Sequence, residues 1–326
     1  MTKTRDITFD IMKGIGILLV ITAHFFGWNH PVLGRTITSF HMPMFFMVAG
    51  YFSKSFSGWE EAKTSMKKYA KRLLPAFVFT QGAIVLWTVF MAWTNKVAWG
   101  SVIKECLSLL WADPYGPQTP WGSLTIGVVW FLVALFVSKL LLLFLSRLGG
   151  WSIPVSILLS IGAILLHGVF PYSIWCLSLG LVALPFLTIG WWGRTHKFPI
   201  WLLIVCVICW VLAILLSELD LYEFTWHCYP LDFLGACGGT IVLYFISRFL
   251  GQNVGFPAKG LAILGIWSLA IMCFHDLETS CHLGAHLMAL FPFALPVWGQ
   301  YVFRYFLTIA LAGVVVYTPG LKRLFV

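Results

Sequence analysis

The chain has 326 residues, 60% of them hydrophobic, 17% aromatic and only 10% charged, with 21 Lys and Arg against 12 Asp and Glu for a net charge of +9. A soluble domain carries roughly a quarter charged residues, and a mean hydropathy of +0.90 is more apolar than a water-soluble fold can bury, so soluble globular, disordered, collagenous and disulfide-stapled classes are excluded. What remains is an all-α polytopic integral membrane protein. A hydrocarbon core of about 30 Å takes about 20 apolar residues per helix, so the length allows about ten transmembrane helices in a single membrane-embedded domain over residues 1–326.

In chain order the apolar segments fall at 8–27, 36–53, 73–95, 125–145, 153–170, 173–193, 199–216, 229–247, 261–278 and 299–319. The first holds Lys13 and His24 and lacks a small-residue cleavage site, so it is expected to remain as a span and not to be removed as a signal peptide. The stretch 286–298, interrupted by Pro292 and Pro296, reads as a re-entrant or interfacial piece. Alternating the sides gathers Lys3, Arg5, Lys54, Lys63, Lys67, Lys68, Lys71, Arg72, Arg147, Arg194, Lys197, Arg248, Lys259, Lys322 and Arg323 on one face, against Arg35, Lys96 and Lys104 on the other. The positive-inside rule then predicts both termini in the cytoplasm of a cell (inner) membrane, with Lys54 to Arg72 as a basic cytoplasmic loop. The positive charge reports topology and carries no nucleic-acid signal.

Ionisable groups inside hydrocarbon are costly enough to be functional candidates by default. On a helix the eleven residues from Lys13 to His24 return to within about 20° of one direction over an axial distance of roughly 16 Å. Asp10 lies about 40° from His24 and Asp6 almost in line, so one face reads as a polar track from cytoplasmic carboxylates through a buried cation to an imidazole. The plainer reading is that Lys13 snorkels and is neutralised by Asp10, and that His24 is a structural histidine. Eight of the nine histidines fall toward the outer half, and no spacing completes a zinc site, so no metal and no resident cofactor is expected. Cys206 and Cys209 form a CxxC within an apolar helix. Cys228 and Cys281 both fall outside as a candidate pair, and Gly235 and Gly239 read as a helix-packing notch.

The run FDIMKGIGILLVITAH (Phe9 to His24), with ten residues between Lys13 and His24, and the run FHMPMFFMVAGYF (Phe40 to Phe52) resemble the opening of the membrane-bound acyltransferase 3 family. KRLLP (Lys71 to Pro75), WFL (Trp130 to Leu132) and SLAIMCFHD (Ser268 to Asp276) extend the likeness over nearly the whole chain. Within the family the chain most resembles acetylases described as similar to fucose 4-O-acetylase. The resemblance implies transfer of an acyl group, usually acetyl from cytoplasmic acetyl-CoA, to a hydroxyl of a surface glycan or lipid-linked sugar. It implies that His24 is the essential histidine and that Lys13 occupies a basic family position. Arg72 matches the second arginine of an RxxR motif whose first position is Tyr69 here, with Lys68 and Lys71 as substitutes.

The residues themselves agree with that chemistry. A sugar hydroxyl needs a base, and an imidazole is suited to the task; Asp10 and Lys13 stand with His24 as the catalytic candidates. Lys68, Lys71 and Arg72 are the donor-binding candidates, with Lys63 and Lys67 beside them. His41, Trp130 and His275 are the acceptor-side candidates. Trp130 reads either as a sugar-stacking ring or as an interfacial anchor, and Pro43 as a mouth residue or a kink. His275 and Asp276, diverging by about 100°, are not expected to point inward together. Direct transfer and a two-step route both fit. The competing class is a multi-pass transporter or flippase, against which no internal repeat between the two halves is apparent. Expected partners are acetyl-CoA, the glycan or lipid-linked acceptor and membrane lipids.

Overall fold

The computed structural model describes residues 6–26, 30–115, 122–291 and 293–325; Lys3, Arg5 and Pro292 lie outside them. In chain order the helices are α1 (Ile7–Phe26), α2 (Pro31–Thr38), α3 (His41–Tyr51), α4 (Trp59–Trp93), α5 (Trp99–Trp111), α6 (Trp130–Leu145), α7 (Ser152–His167), α8 (Leu177–Gly193) and α9 (Ile200–Leu216). A two-stranded antiparallel hairpin of β1 (Leu219–Asp220) and β2 (Thr225–Trp226) follows, pairing Leu219 with Trp226 and Asp220 with Thr225. Then come α10 (Tyr229–Asn253), α11 (Gly255–Ile266), α12 (Ser268–Ser280), α13 (Leu283–Met288), α14 (Val297–Tyr317) and α15 (Lys322–Phe325). The protein is an all-α polytopic membrane protein. Among the described residues six helical stretches are long and apolar enough to cross a bilayer, and α11 with α12, bent by 68°, makes a seventh if taken as one broken span.

Each of the ten expected segments contains a helix, with three departures in shape, of which the bend within 261–278 between α11 and α12 is one. The segment 36–53 is split into α2 and α3 at Ser39 and Phe40, and Pro43 sits in the first turn of α3, where a missing N–H is tolerated. The expected loop from Lys54 to Arg72 is helical from Trp59 onward, and α4 runs 35 residues without a break through Pro75. At about 1.5 Å per residue it is roughly 52 Å long, well beyond the hydrocarbon thickness. Its start is fixed by Glu61, whose carboxylate accepts the Ser57 backbone N–H at 2.8 Å and the Ser57 hydroxyl at 2.9 Å. Glu60 and Glu61 lie in the first turn, where the helix dipole favours negative charge.

The chain divides into two compact units, one of Met1–Phe56, Leu141–Ile161 and Val182–Ser268, the other of Ser57–Leu140, Gly162–Leu181 and Leu269–Val326. In the first, helices meet backbone to backbone. A methyl group on Gly14 of α1 would collide with the Leu261 carbonyl of α11, and one on Gly265 would collide with the Asp10 carbonyl. Gly50 and Gly190 do the same between α3 and α8, and Gly238 brings α10 onto the Cys206 carbonyl of α9. Small residues allow this approach where lipid supplies no hydrophobic drive. The expected notch is present but shifted: Gly235 faces Cys209 and Ala213, whereas Gly239 faces Phe40 and Trp210. The CxxC therefore belongs to a packed helix face.

In the second unit every residue of α12 from Ala270 to Glu278 is buried. That overturns the expectation for His275 and Asp276, both of which are 0% exposed, because a helix enclosed on all sides has no outward face. Asp276 Oδ1 accepts the Val128 backbone N–H at 2.6 Å. It thereby fixes the entrance to α6 beside Gly127, whose φ of +60° and lack of a Cβ make room for the carboxylate.

Gly14→Val tests the backbone contact. The Leu261 carbonyl cannot rotate away, so overpacking should cost about 1–3 kcal/mol or more and lower the thermal midpoint in detergent, whereas Gly260→Val, which faces open space, should leave it unchanged.

Candidate functional site

Two constellations emerge, one in each unit. In the first, α1 ends in His24, whose Nδ1 lies 2.9 Å from the Val20 carbonyl. A carbonyl only accepts, so Nδ1 carries the proton and Nε2 is the basic nitrogen of the neutral ring. The same i to i−4 bond recurs at His41, where Nδ1 is 2.8 Å from the Ile37 carbonyl. The two rings are within electrostatic reach of one another, His24 exposed and His41 buried at the start of α3.

Asp220 joins them from the hairpin. β1 packs on α2, the short helix that links α1 to α3, and Asp220 lies within electrostatic reach of His24. Asp220 Oδ1 accepts the backbone N–H groups of Tyr222 at 2.8 Å and Glu223 at 3.2 Å, which holds the carboxylate in the turn. Burial pushes this carboxyl above the usual carboxylate range, against the opposing pull of those N–H groups and of His24.

Lys13 and Asp10 meet at 2.8 Å, with side chains 23% and 6% exposed. This is the neutralised pair of the plainer sequence reading. The expected polar track is interrupted: the stripe between Lys13 and His24 is filled by Ile17 and Val20, both buried. The polar groups of α1 therefore occupy its two ends, because the middle packs against apolar neighbours.

The second unit holds a cavity of about 540 Å³ lined by Thr64, Lys67, Lys68, Lys71, Arg72 and Leu269 together with Arg323, Leu324 and Phe325. Residues 64, 67, 68, 71 and 72 follow the helical i, i+3, i+4, i+7, i+8 spacing, so the extension of α4 turns four cations to one face. The three donor-binding candidates line one cavity together. Among the described residues no carboxylate lines it and none of its five cations is in an ion pair. Lys63 lies off the stripe, bound to Glu60 at 3.0 Å. Behind the stripe, Lys139 Nζ of α6 is 4.7 Å from the Tyr69 ring centroid, within electrostatic reach of Arg72 and Lys68. Of the acceptor-side candidates in this unit, Trp130 is buried with its ring perpendicular to that of Phe131 at the start of α6, and His275 is buried in α12.

Sequence reasoning missed Asp220, Lys139, Arg323 and one buried pair. Arg304 Nε and Nη2 donate to the two carboxylate oxygens of Glu278 at 2.6 and 3.0 Å, tying α14 to α12 with Glu278 fully buried. Both lie in or at the edge of expected spans, where an ionisable residue is itself a signal. The hairpin carried none, since Asp220 sits in a short polar connection. All eight cysteines, Cys228 and Cys281 included, are unbridged. Among the described residues no group of three or more His, Cys, Asp or Glu could hold a metal ion.

A family model described as an acyltransferase domain, that of acyltransferase 3, matches residues 6–321. The chain is also similar to the nodulation protein NolL of Mesorhizobium japonicum, with 28% identity over 233 residues, covering 64% of this chain and 57% of that protein. The chain thus spans little more than half the length of that relative. No solved structure is significantly similar.

The Asp220 environment predicts a pH dependence. A carboxyl whose pKa is raised by folding contributes stability that is complete below its unfolded pKa and lost as pH rises through the folded one. Asp220→Asn keeps an oxygen to accept the Tyr222 and Glu223 N–H groups. The thermal midpoint of the wild type relative to that variant should therefore fall between about pH 4 and pH 8. A difference that grows with pH would mean that the charge of His24 outweighs burial.

Proposed function

Because the chain belongs to the acyltransferase 3 family, we propose that it is a membrane O-acyltransferase moving an acyl group, acetyl from acetyl-CoA in the first instance, to a hydroxyl of a surface polysaccharide or lipid-linked sugar. The observation that carries the donor assignment is the cavity lined by five cations. Coenzyme A bears a phosphate monoester and a diphosphate, and Lys and Arg side chains bind such oxygens through charge-assisted hydrogen bonds. A cytoplasmic donor places this cavity on the inner face, in keeping with the distribution of basic residues, both termini in the cytoplasm and an inner-membrane location. A transporter would have no need of a nucleotide-phosphate site.

His24 is the general base of this reading. Its Nε2 takes the proton of the acceptor hydroxyl as the oxygen forms a bond to the thioester carbonyl. The carbon–sulfur bond then breaks, and the departing thiolate takes up a proton to leave as free coenzyme A. The Val20 carbonyl holds the tautomer that presents Nε2 as the acceptor, and the Asp220 carboxylate favours the imidazolium that forms. Lys13, paired with Asp10 at the far end of α1, orients the helix and takes no proton.

Two measurements test the assignments. His24→Ala should lower acetyl transfer to a sugar acceptor by about 10² to 10⁴-fold while acetyl-CoA affinity stays at the wild-type level, and His167→Ala should remain active; an active His24→Ala enzyme would refute the mechanism. Lys68, Lys71 and Arg72 replaced together by Gln should weaken acetyl-CoA binding by at least roughly 100-fold with the thermal midpoint preserved. Unchanged affinity would reduce the cluster to a topology signal.

A further inference from the structure

Four of the cavity's five cations come from one helix, and the fifth comes from the other end of the chain. After α14 the backbone turns at Gly320, whose φ is +96°, and returns as the short helix α15. Phe325, 3% exposed, seats this helix. Its ring meets Phe79 of α4 edge-on at 5.5 Å and 88°, and lies 6.2 Å from Phe274 of α12. Two residues earlier Arg323 is exposed and lines the same cavity as Lys67, Lys68, Lys71 and Arg72. A positive-inside residue needs only to lie in the cytoplasm. It does not need a buried aromatic anchor that fixes it against one particular cavity.

We infer that Arg323 is a phosphate-binding residue of the donor cavity, held there by Phe325, and that the C-terminal helix supplies the wall that converts a basic helix face into a site for the phosphates of coenzyme A. This rests on the donor reading above. A guanidinium presents a planar fork of N–H donors that grips two phosphate oxygens at once, whereas the lysines of α4 act as point charges. A ligand held between Arg323 and the α4 cations is gripped from two sides, which a helix face alone cannot do. The two sources of phosphate oxygens at this face are a soluble nucleotide and an anionic lipid headgroup, and the inference commits to the nucleotide.

The experiment is calorimetric binding of coenzyme A to the full chain in neutral detergent, with and without added phosphatidylglycerol, alongside thermal unfolding. Arg323→Gln should raise the dissociation constant roughly tenfold, the worth of one charge-assisted hydrogen bond, with no change in thermal midpoint. Arg323→Lys should recover part of the loss, and Phe325→Ala should weaken binding although it removes no charge. Lys259→Gln, a basic change outside the cavity, should bind as wild type. Wild-type affinity in Arg323→Gln, with binding lost in the Lys68, Lys71 and Arg72 triple variant, overturns this inference and leaves the donor reading standing. Wild-type affinity in both overturns the donor reading itself. A loss in Arg323→Gln that occurs only when phosphatidylglycerol is present would show that the residue binds lipid, and would likewise overturn the inference.

Discussion

Hydrocarbon offers a charge no partner, and that constraint shows in how the ionisable side chains buried in the helices are met. Among the described residues two ion pairs lie within or beside the spans, Lys13 with Asp10 and Arg304 with Glu278. The second pair is a two-pronged bond to a fully buried carboxylate, the geometry in which removing one partner strands the other at a cost of about 3–5 kcal/mol. Asp276 is met differently: Oδ1 accepts a backbone N–H at the entrance of α6, and Oδ2 has no hydrogen-bond partner among the described residues. By contrast the five cations around the cavity are exposed, with no acid among the described residues that line it.

The same solvent explains how the scaffold is built. Since lipid is as apolar as the helices, association depends on close contact, and in the first unit glycines let main chains touch across α1 and α11, α3 and α8, and α9 and α10. The α1 contact bears on chemistry, because Gly265 rests on the carbonyl of Asp10, the residue that pairs with Lys13. At the other end of α1 the His24 ring is turned by the Val20 carbonyl of its own helix. One rigid helix therefore fixes a charge pair near its beginning and a tautomer near its end.

Much of this was legible from composition and periodicity. Sustained apolar runs marked the helices, and the sparse charges marked His24, Lys13 and the basic stretch. What was lost was mostly geometry of the polar parts. Residues 59–72 were read as a loop because Lys and Glu interrupt the apolar pattern, although Ala, Glu, Lys and Met are all good helix formers. Missing the helix meant missing the stripe that aligns Thr64, Lys67, Lys68, Lys71 and Arg72. The polar track failed for the opposite reason: angular position on α1 was right, yet it took no account of Ile17 and Val20 filling the interval. Asp220 and Arg323 belong to sites assembled across long sequence distances, and no local pattern joins them to His24 or to α4.

The departure from the family motif at Tyr69 follows from the same electrostatics. A motif with two arginines three residues apart places both on one helical face; here the first is a tyrosine, and the face would be short by one charge. Lys139 of α6 sets a cation beside that position, its ammonium lying over the Tyr69 ring and within electrostatic reach of Arg72 and Lys68, although neither Lys139 nor Tyr69 lines the cavity. The aromatic face holds a cation that the helix itself no longer carries. What an anion senses is the field in the cavity, which depends on where charges lie and not on which helix bears them. The tyrosine at the first motif position is thus accompanied by a cation on the neighbouring helix α6.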